Sequence, residues 1–307
     1  MKFRKKSKLK ISWREFRKIY NRLYTYVDVL SNKIGPRNPQ HYDALKKASD
    51  YIADQMTKGN NTLKVQQYVY DNKKFKNLIF EKPGNSKSDE IIIIGAHYDT
   101  VLDSPGADDN ATGIAGLLAL IRLLHHYDSH RTLRFVAFTL EEPPFFATEQ
   151  MGSYVHARSC KDQDENIVAM IALEMLGFYT EKRRSQRYPF PDMKGRYPDR
   201  GNFIAVVGND QSRQLGINFT EKIEEASIIK TESIFPISTA HGIELSDHSS
   251  FWKFDYPAIM ITDTAFYRNQ NYHENSDTID KLNFRYFTRL VFALCYALRE
   301  LDQADSI

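Results

Sequence analysis

Cysteine is scarce. The 307-residue chain has two, Cys160 and Cys295, far apart and in no metal-ligand spacing. They cannot form a disulfide framework, so the core must hold by packing. Long hydrophobic runs are also missing: the longest uncharged apolar stretches, 91–96 and 290–298, fall well short of the ~20 residues that cross a bilayer. These stretches suit a buried strand and a buried helix face. The body of the chain lacks an excess of either charge. Its formal net charge is +3, and six of the positives (Lys2, Arg4, Lys5, Lys6, Lys8 and Lys10) stand in the first ten residues, so the remainder carries −3. A basic nucleic-acid-binding surface spread over the fold is therefore not expected. No apolar segment follows the basic start, which argues against an ordinary secretory signal and leaves a cytoplasmic location as the expectation. There is no internal repeat, low-complexity tract or dividing linker. With 42% hydrophobic and 26% charged residues, the chain reads as a basic arm over 1–11 and one globular domain over 12–307.

Local patterns define the elements. Ser12 and Glu15 form a capping box ahead of Phe16, Ile19, Tyr20, Leu23 and Val27 at helical spacing. Gly35-Pro36 and Asn38-Pro39 interrupt, and a second helix with Ala44, Leu45, Ala48, Ile52 and Met56 follows. Strands are expected over 63–70 and 76–81. The β-branched run 91–94 shows no alternation, as in a strand covered on both faces. Thereafter helices over 111–127, 153–159 and 212–228 alternate with strands over 133–140, 167–173, 202–207 and 258–262, before a final helix over 285–301. This order predicts an α/β fold, a single-domain mixed but largely parallel sheet covered by helices on both faces. The segment 179–200, with five arginines, three prolines and no apolar period, reads as a loop bordering the functional site.

Polar residues gather where the buried strands end. His97-Tyr98-Asp99 follows 91–94, Glu141-Glu142 follows 133–140, and Glu174 follows 167–173. In open α/β sheets, ligands bind outside the carboxyl ends of the strands. The loop Pro105-Gly106-Ala107-Asp108-Asp109-Asn110 and the pair Tyr272-His273 add further candidates. His97 and Asp99 share one side of an extended backbone, so the carboxylate can orient the imidazole. Together His97, Asp108, Glu142, Glu174 and His273 offer two imidazoles and three carboxylates, a set suited to two Zn²⁺, with Mn²⁺ or Co²⁺ as substitutes.

These stretches resemble the co-catalytic di-zinc aminopeptidases, the bacterial leucine-type enzymes whose wider relatives include glutamate carboxypeptidase and the glutaminyl cyclases. The matching segments include Gly95-Ala96-His97-Tyr98-Asp99, Gly106-Ala107-Asp108-Asp109-Asn110-Ala111-Thr112-Gly113, Glu141-Glu142, Leu173-Glu174, Ser246-Asp247-His248 and Tyr272-His273-Glu274-Asn275-Ser276-Asp277. They occur in family order across most of the chain. The resemblance implies a zinc-exopeptidase-like fold that removes N-terminal residues from peptides with a free N-terminus. It implies that His97 and Glu174 bind one zinc, that His273 and Glu142 bind the other, and that Asp108 bridges both. It gives Glu141 as the general base acting on a metal-bridging hydroxide and Asp99 as the residue orienting His97. Tyr272 and His248 are expected as oxyanion or pocket residues. Many members carry Asp where this chain has Glu174. The resemblance also implies a cis peptide bond between Asp108 and Asp109. Two alternatives stand beside this reading. A glutaminyl-cyclase-like acyltransferase would use a single zinc, but its pattern lacks a ligating histidine at His97; a binding module that had lost its metals would not retain this ligand set. For substrate selectivity, the candidates are Phe146, Phe178, Phe251 and Phe266.

Overall fold

A computed structural model describes residues 9–59, 62–226, 228–235 and 242–307. The basic arm expected over 1–11 lies mostly outside them. The first helix, α1 (Trp13–Asp28), carries the capping box: the Ser12 hydroxyl accepts from the Glu15 N–H and the Glu15 carboxylate accepts from the Ser12 N–H. Helix α2 (Tyr42–Thr57) follows, then strands β1 (Leu63–Tyr70), β2 (Lys73–Lys82) and β3 (Lys87–His97). Helix α3 (Gly113–Leu123), β4 (Arg131–Phe138), α4 (Gly152–Asp162) and β5 (Asn166–Glu174) continue the alternation. Strand β6 (Phe203–Gly208), α5 (Arg213–Ala226), β7 (Lys230–Ile234), the short α6 (His248–Trp252), β8 (Ala258–Thr262) and α7 (Phe284–Gln303) complete it.

All eight strands form one sheet in the order β1-β2-β4-β3-β5-β8-β6-β7. Strands β4, β3, β5 and β8 run parallel in its centre, flanked by antiparallel pairings of β2 with β4 and of β6 with β8. The isoleucine run shows why β3 lies inside. Ile92 and Ile94 join the layer built from α1, α2, α3, α5 and α7, while Ile91 and Ile93 join the opposite layer with residues of α4 and α6. A strand apolar on both faces has no stable place except between two helical layers. Among the described residues no helix is long and apolar enough to cross a membrane.

Two local readings need revision. The helix expected over 111–127 begins as α3 only at Gly113, and the Asn110 side chain stands ahead of it. Its Oδ1 accepts from the N–H groups of Gly113 and Met175, and its Nδ2 donates to the Leu173 carbonyl, stitching the helix start to the end of β5. Gly113 is needed there, since a Cβ would lie 2.4 Å from the Leu173 carbonyl oxygen. Strand β7 and helix α6 have no counterpart in the sequence reading, because Lys230–Ile234 is short, polar and half-buried.

Candidate metal centre

The parallel strands carry their polar ends to one rim. His97 ends β3 and is 1% exposed, Glu174 ends β5, and Glu141 and Glu142 lie just beyond β4. His97 Nε2 stands 3.3 Å from Glu174 Oε2, 3.4 Å from Asp109 Oδ1 and 3.7 Å from Glu141 Oε2. His273, arriving from the loop after β8, places Nε2 3.2 Å from Glu142 Oε2 and 3.3 Å from Asp109 Oδ2. One oxygen of Asp109 therefore faces each histidine. Two ligands on one tetrahedral ion at ~2.0–2.1 Å stand roughly 3.3 Å apart, so these spacings suit shared cations. The sets His97/Asp109/Glu174 and Asp109/Glu142/His273 each hold their ligand atoms within 4.8 Å of one another.

The carboxylate that lies between the two histidines is that of Asp109; Asp108, expected to bridge, does not lie there. The Asp108 carboxylate turns the other way. Its Oδ1 accepts from the Gly177 N–H and its Oδ2 from Asn269 Nδ2, with Asp263 beside it. What selects between the neighbours is Asp277: its carboxylate accepts from the N–H groups of both Asp108 and Asp109, fixing how the loop presents its side chains. The cis peptide bond likewise joins Asp109 to Asn110, one residue later than expected.

Electrostatics show what the cluster lacks. Burial disfavours a charged His97, yet the carboxylates of Glu141, Glu174, Asp109 and Asp99 outweigh it and raise its pKa well above the usual imidazole value. His273 is pushed up to about 10, since Asp109 and Glu142 outweigh the burial of its ring. Burial and neighbouring carboxylates raise Glu141 well above the ordinary range and bring Glu142 to about 7. A buried group of like charges draws in positive charge. Glu142 Oε1 and His97 Nδ1 are buried with no hydrogen-bond partner, although buried polar atoms are rarely left so. The donor set, oxygen and imidazole without thiolate, fits borderline divalent cations such as zinc.

Asp99 accepts from the N–H groups of Glu141 and Glu142, at 3.1 and 3.0 Å, and brings Oδ1 to 3.7 Å from His97 Nδ1. It thereby ties the end of β3 to the end of β4. Ser246 donates to Glu174 at 2.7 Å, which fixes the longer acidic arm at that position. Arg37, read only as part of a chain break, is fully buried. Its guanidinium donates to the carbonyls of Leu30, Gly35, Tyr98, Pro105 and Gly106, fastening the loop that carries Asp109. A charged side chain between two X-Pro breaks was the only sequence signal for it.

A cavity of about 160 Å³ opens from the cluster. Tyr272 lines it and also stacks on His273, the centroids 3.7 Å apart. Of the aromatic candidates, Phe146 and Phe266 line the cavity and Phe178 and Phe251 do not. His248 does not reach it: its Nε2 pairs with the Ile243 carbonyl at 2.6 Å and its ring packs edge-on against Trp252. Its place is beneath the wall, whose Ile243 and Leu245 do face the cavity. The expected border loop contributes Gln186, Arg187, Tyr188, Pro189 and Met193.

Carboxylates and imidazoles crowded at the strand ends of an α/β sheet are the arrangement of a metal-dependent hydrolase. The chain belongs to Peptidase family M28, which it matches over residues 77–298, and is a peptide hydrolase. It is 40% identical over 277 residues to the uncharacterized protein YfbL of Escherichia coli, covering 86% of this chain and 83% of that one. It is 30% identical over 165 residues to the aminopeptidase YwaD of Bacillus subtilis, covering 53% of this chain and 34% of that one. Against a probable leucine aminopeptidase of Arthroderma otae it is 26% identical, and it spans 66% of that protein's length. Among solved structures, a zinc aminopeptidase of Bacillus subtilis shares the fold with a TM-score of 0.75 at 16% identity, covering 94% of this chain and 96% of that one. A glutaminyl cyclase of Bacteroides thetaiotaomicron also shares it, with a TM-score of 0.67 at 17% identity over 94% of this chain and 98% of that one.

Proposed function

We propose that this chain is a di-zinc aminopeptidase, removing single residues from peptides with a free N-terminus. The observation that carries the reading is the placement of Asp109, one oxygen toward His97 and the other toward His273. Glu174 would complete the first site and Glu142 the second. The similarity to the aminopeptidase YwaD and to the probable leucine aminopeptidase of Arthroderma otae supports peptide trimming from the N-terminus.

Two zinc ions held by these residues would polarise the scissile carbonyl and make a water acidic enough to attack near neutral pH. The remaining work falls to the chain. Glu141, within 3.7 Å of His97 yet not needed to complete either ligand set, takes the proton from the attacking water and returns it to the departing amine. Asp99 holds the Glu141-Glu142 backbone and the face of His97. From the cavity wall, Tyr272 donates its hydroxyl hydrogen to the carbonyl oxygen as that oxygen gains charge. The substrate's cationic α-amine enters at the carboxylate-rich end and its first side chain extends toward the apolar wall formed by Met193, Val207, Ile243 and Met260.

Metal stoichiometry combined with a panel of aminoacyl amides, with and without chelator, tests this. Two ions per chain and chelator-sensitive release of the first residue, blocked by N-acetylation, are expected. One ion per chain with cyclisation of N-terminal glutamine would replace the reading with the cyclase.

A further inference from the structure

The cavity has one feature that peptide trimming does not require. Beside the acidic cluster its walls are apolar or neutral polar, and Arg187 is the single Lys or Arg among the described residues that line it. Arg196 and Arg200 in the same segment stand near Asp192 and Glu181, while the exposed Arg183 and Arg184, which do not line the cavity, pair with no carboxylate among the described residues. Arg187 has none within ion-pair distance among the described residues, and the residues outside them contain no Asp or Glu. Its side chain is exposed, and its backbone is well fixed. The Arg187 N–H donates to the Tyr267 carbonyl at 2.8 Å, and its own carbonyl accepts from Gln186 Nε2. Gln186 is itself buried, donating to Thr264 Oγ1 and accepting from Arg268 Nε, so the base of Arg187 is bolted to the segment that follows β8. An exposed guanidinium at a cavity wall with no carboxylate partner can take an anion from outside, and its planar fork fits a carboxylate through two parallel hydrogen bonds.

Resting on the aminopeptidase reading, we infer that Arg187 receives a carboxylate of the substrate and gives the enzyme a preference for peptides that carry one within reach of the cavity. Two sources share this chemistry: the free C-terminus of a di- or tripeptide, and an acidic side chain next to the cleaved residue. The short peptide presents its carboxylate in nearly every sequence, so selection for it would make the enzyme a finisher of small fragments. Selection for the acidic side chain would instead narrow it by sequence.

Four unblocked peptides separate these cases. Leu-Gly is compared with Leu-Gly-amide, and Leu-Glu-amide with Leu-Gln-amide, each followed by leucine release from the zinc-loaded full chain. In one pair or the other, the acid member should show a kcat/KM about tenfold higher, chiefly through KM, the magnitude of a charge-assisted bond in partly exposed surroundings. Added salt should erode that ratio. Arg187→Gln should bring the ratio close to one, while Arg187→Lys should keep part of it. A residue with only a structural role would lower both members of a pair together and leave the ratio intact. Equal release from all four peptides by the wild-type chain, or a ratio that survives Arg187→Gln, overturns the inference and leaves the aminopeptidase reading standing. Failure to release leucine from any of the four sinks that reading as well.

Discussion

At the start of β4, Arg131 is buried against Glu90 and donates to the backbone carbonyls of Asp302 and Ala304. The Asp302 carboxylate accepts from the N–H groups of His130 and Arg131 and from the Tyr127 hydroxyl. At the far ends of the same parallel strands, the buried His97, Asp109, Glu141, Glu142 and Glu174 gather with the half-buried His273, where carboxylates outnumber imidazoles and two polar atoms have no partner. The first cluster closes on itself, since its charges and donors come from within the chain. It holds the last turn of α7 against the sheet and asks for nothing else. The second cluster is incomplete without positive charge supplied from outside. Burial of charge thus distinguishes structure from function here only once partners are counted.

The contrast breaks most sharply at Asp109. Asp109→Ala should lose the second ion, and turnover should fall by roughly 10³-fold or more, read by elemental analysis beside leucine-amide hydrolysis. Full occupancy with both ions in that variant would remove the bridging role. Glu141→Gln should bind metal as the parent does while turnover drops by about 10²–10⁴-fold, because proton transfer is lost and the ligands remain. Parent-like turnover would reassign the base. At the self-contained end the expected effect is on stability. Asp302→Ala should lower unfolding free energy by about 3–5 kcal/mol in a denaturant titration, leaving activity per folded molecule as before. Loss of metal there would show that the two ends are coupled.

The smallest effect is expected one residue from the largest. Burial, and then the proximity of Asp263, raise the pKa of Asp108 well above the carboxylate range. Asp108→Asn keeps the shape of a side chain that turns to Gly177 and Asn269 and not to the histidines. It should retain both ions and destabilise by only about 1–2 kcal/mol, since the bond from Asn269 is disturbed and that from Gly177 can persist. Equal metal loss in the Asp108 and Asp109 variants would erase the distinction between them.

That distinction marks the boundary of what linear order conveys. The isoleucine run of β3, the Ser12 capping box and the alternation of apolar strands with amphipathic helices follow from local preference and periodicity, which each segment carries with it. So does the placement of His97, Glu141, Glu142 and Glu174, because a polar residue ending a buried parallel strand has only the rim to occupy. Which of two adjacent aspartates faces the histidines is set by Asp277, 169 residues from Asp108, whose carboxylate grips the backbone of both. The burial of Arg37 beneath the loop and the arrival of Arg187 at the cavity wall depend likewise on contacts between distant segments. Side-chain direction in an irregular loop has no period to betray it, so only the assembled chain could decide these points.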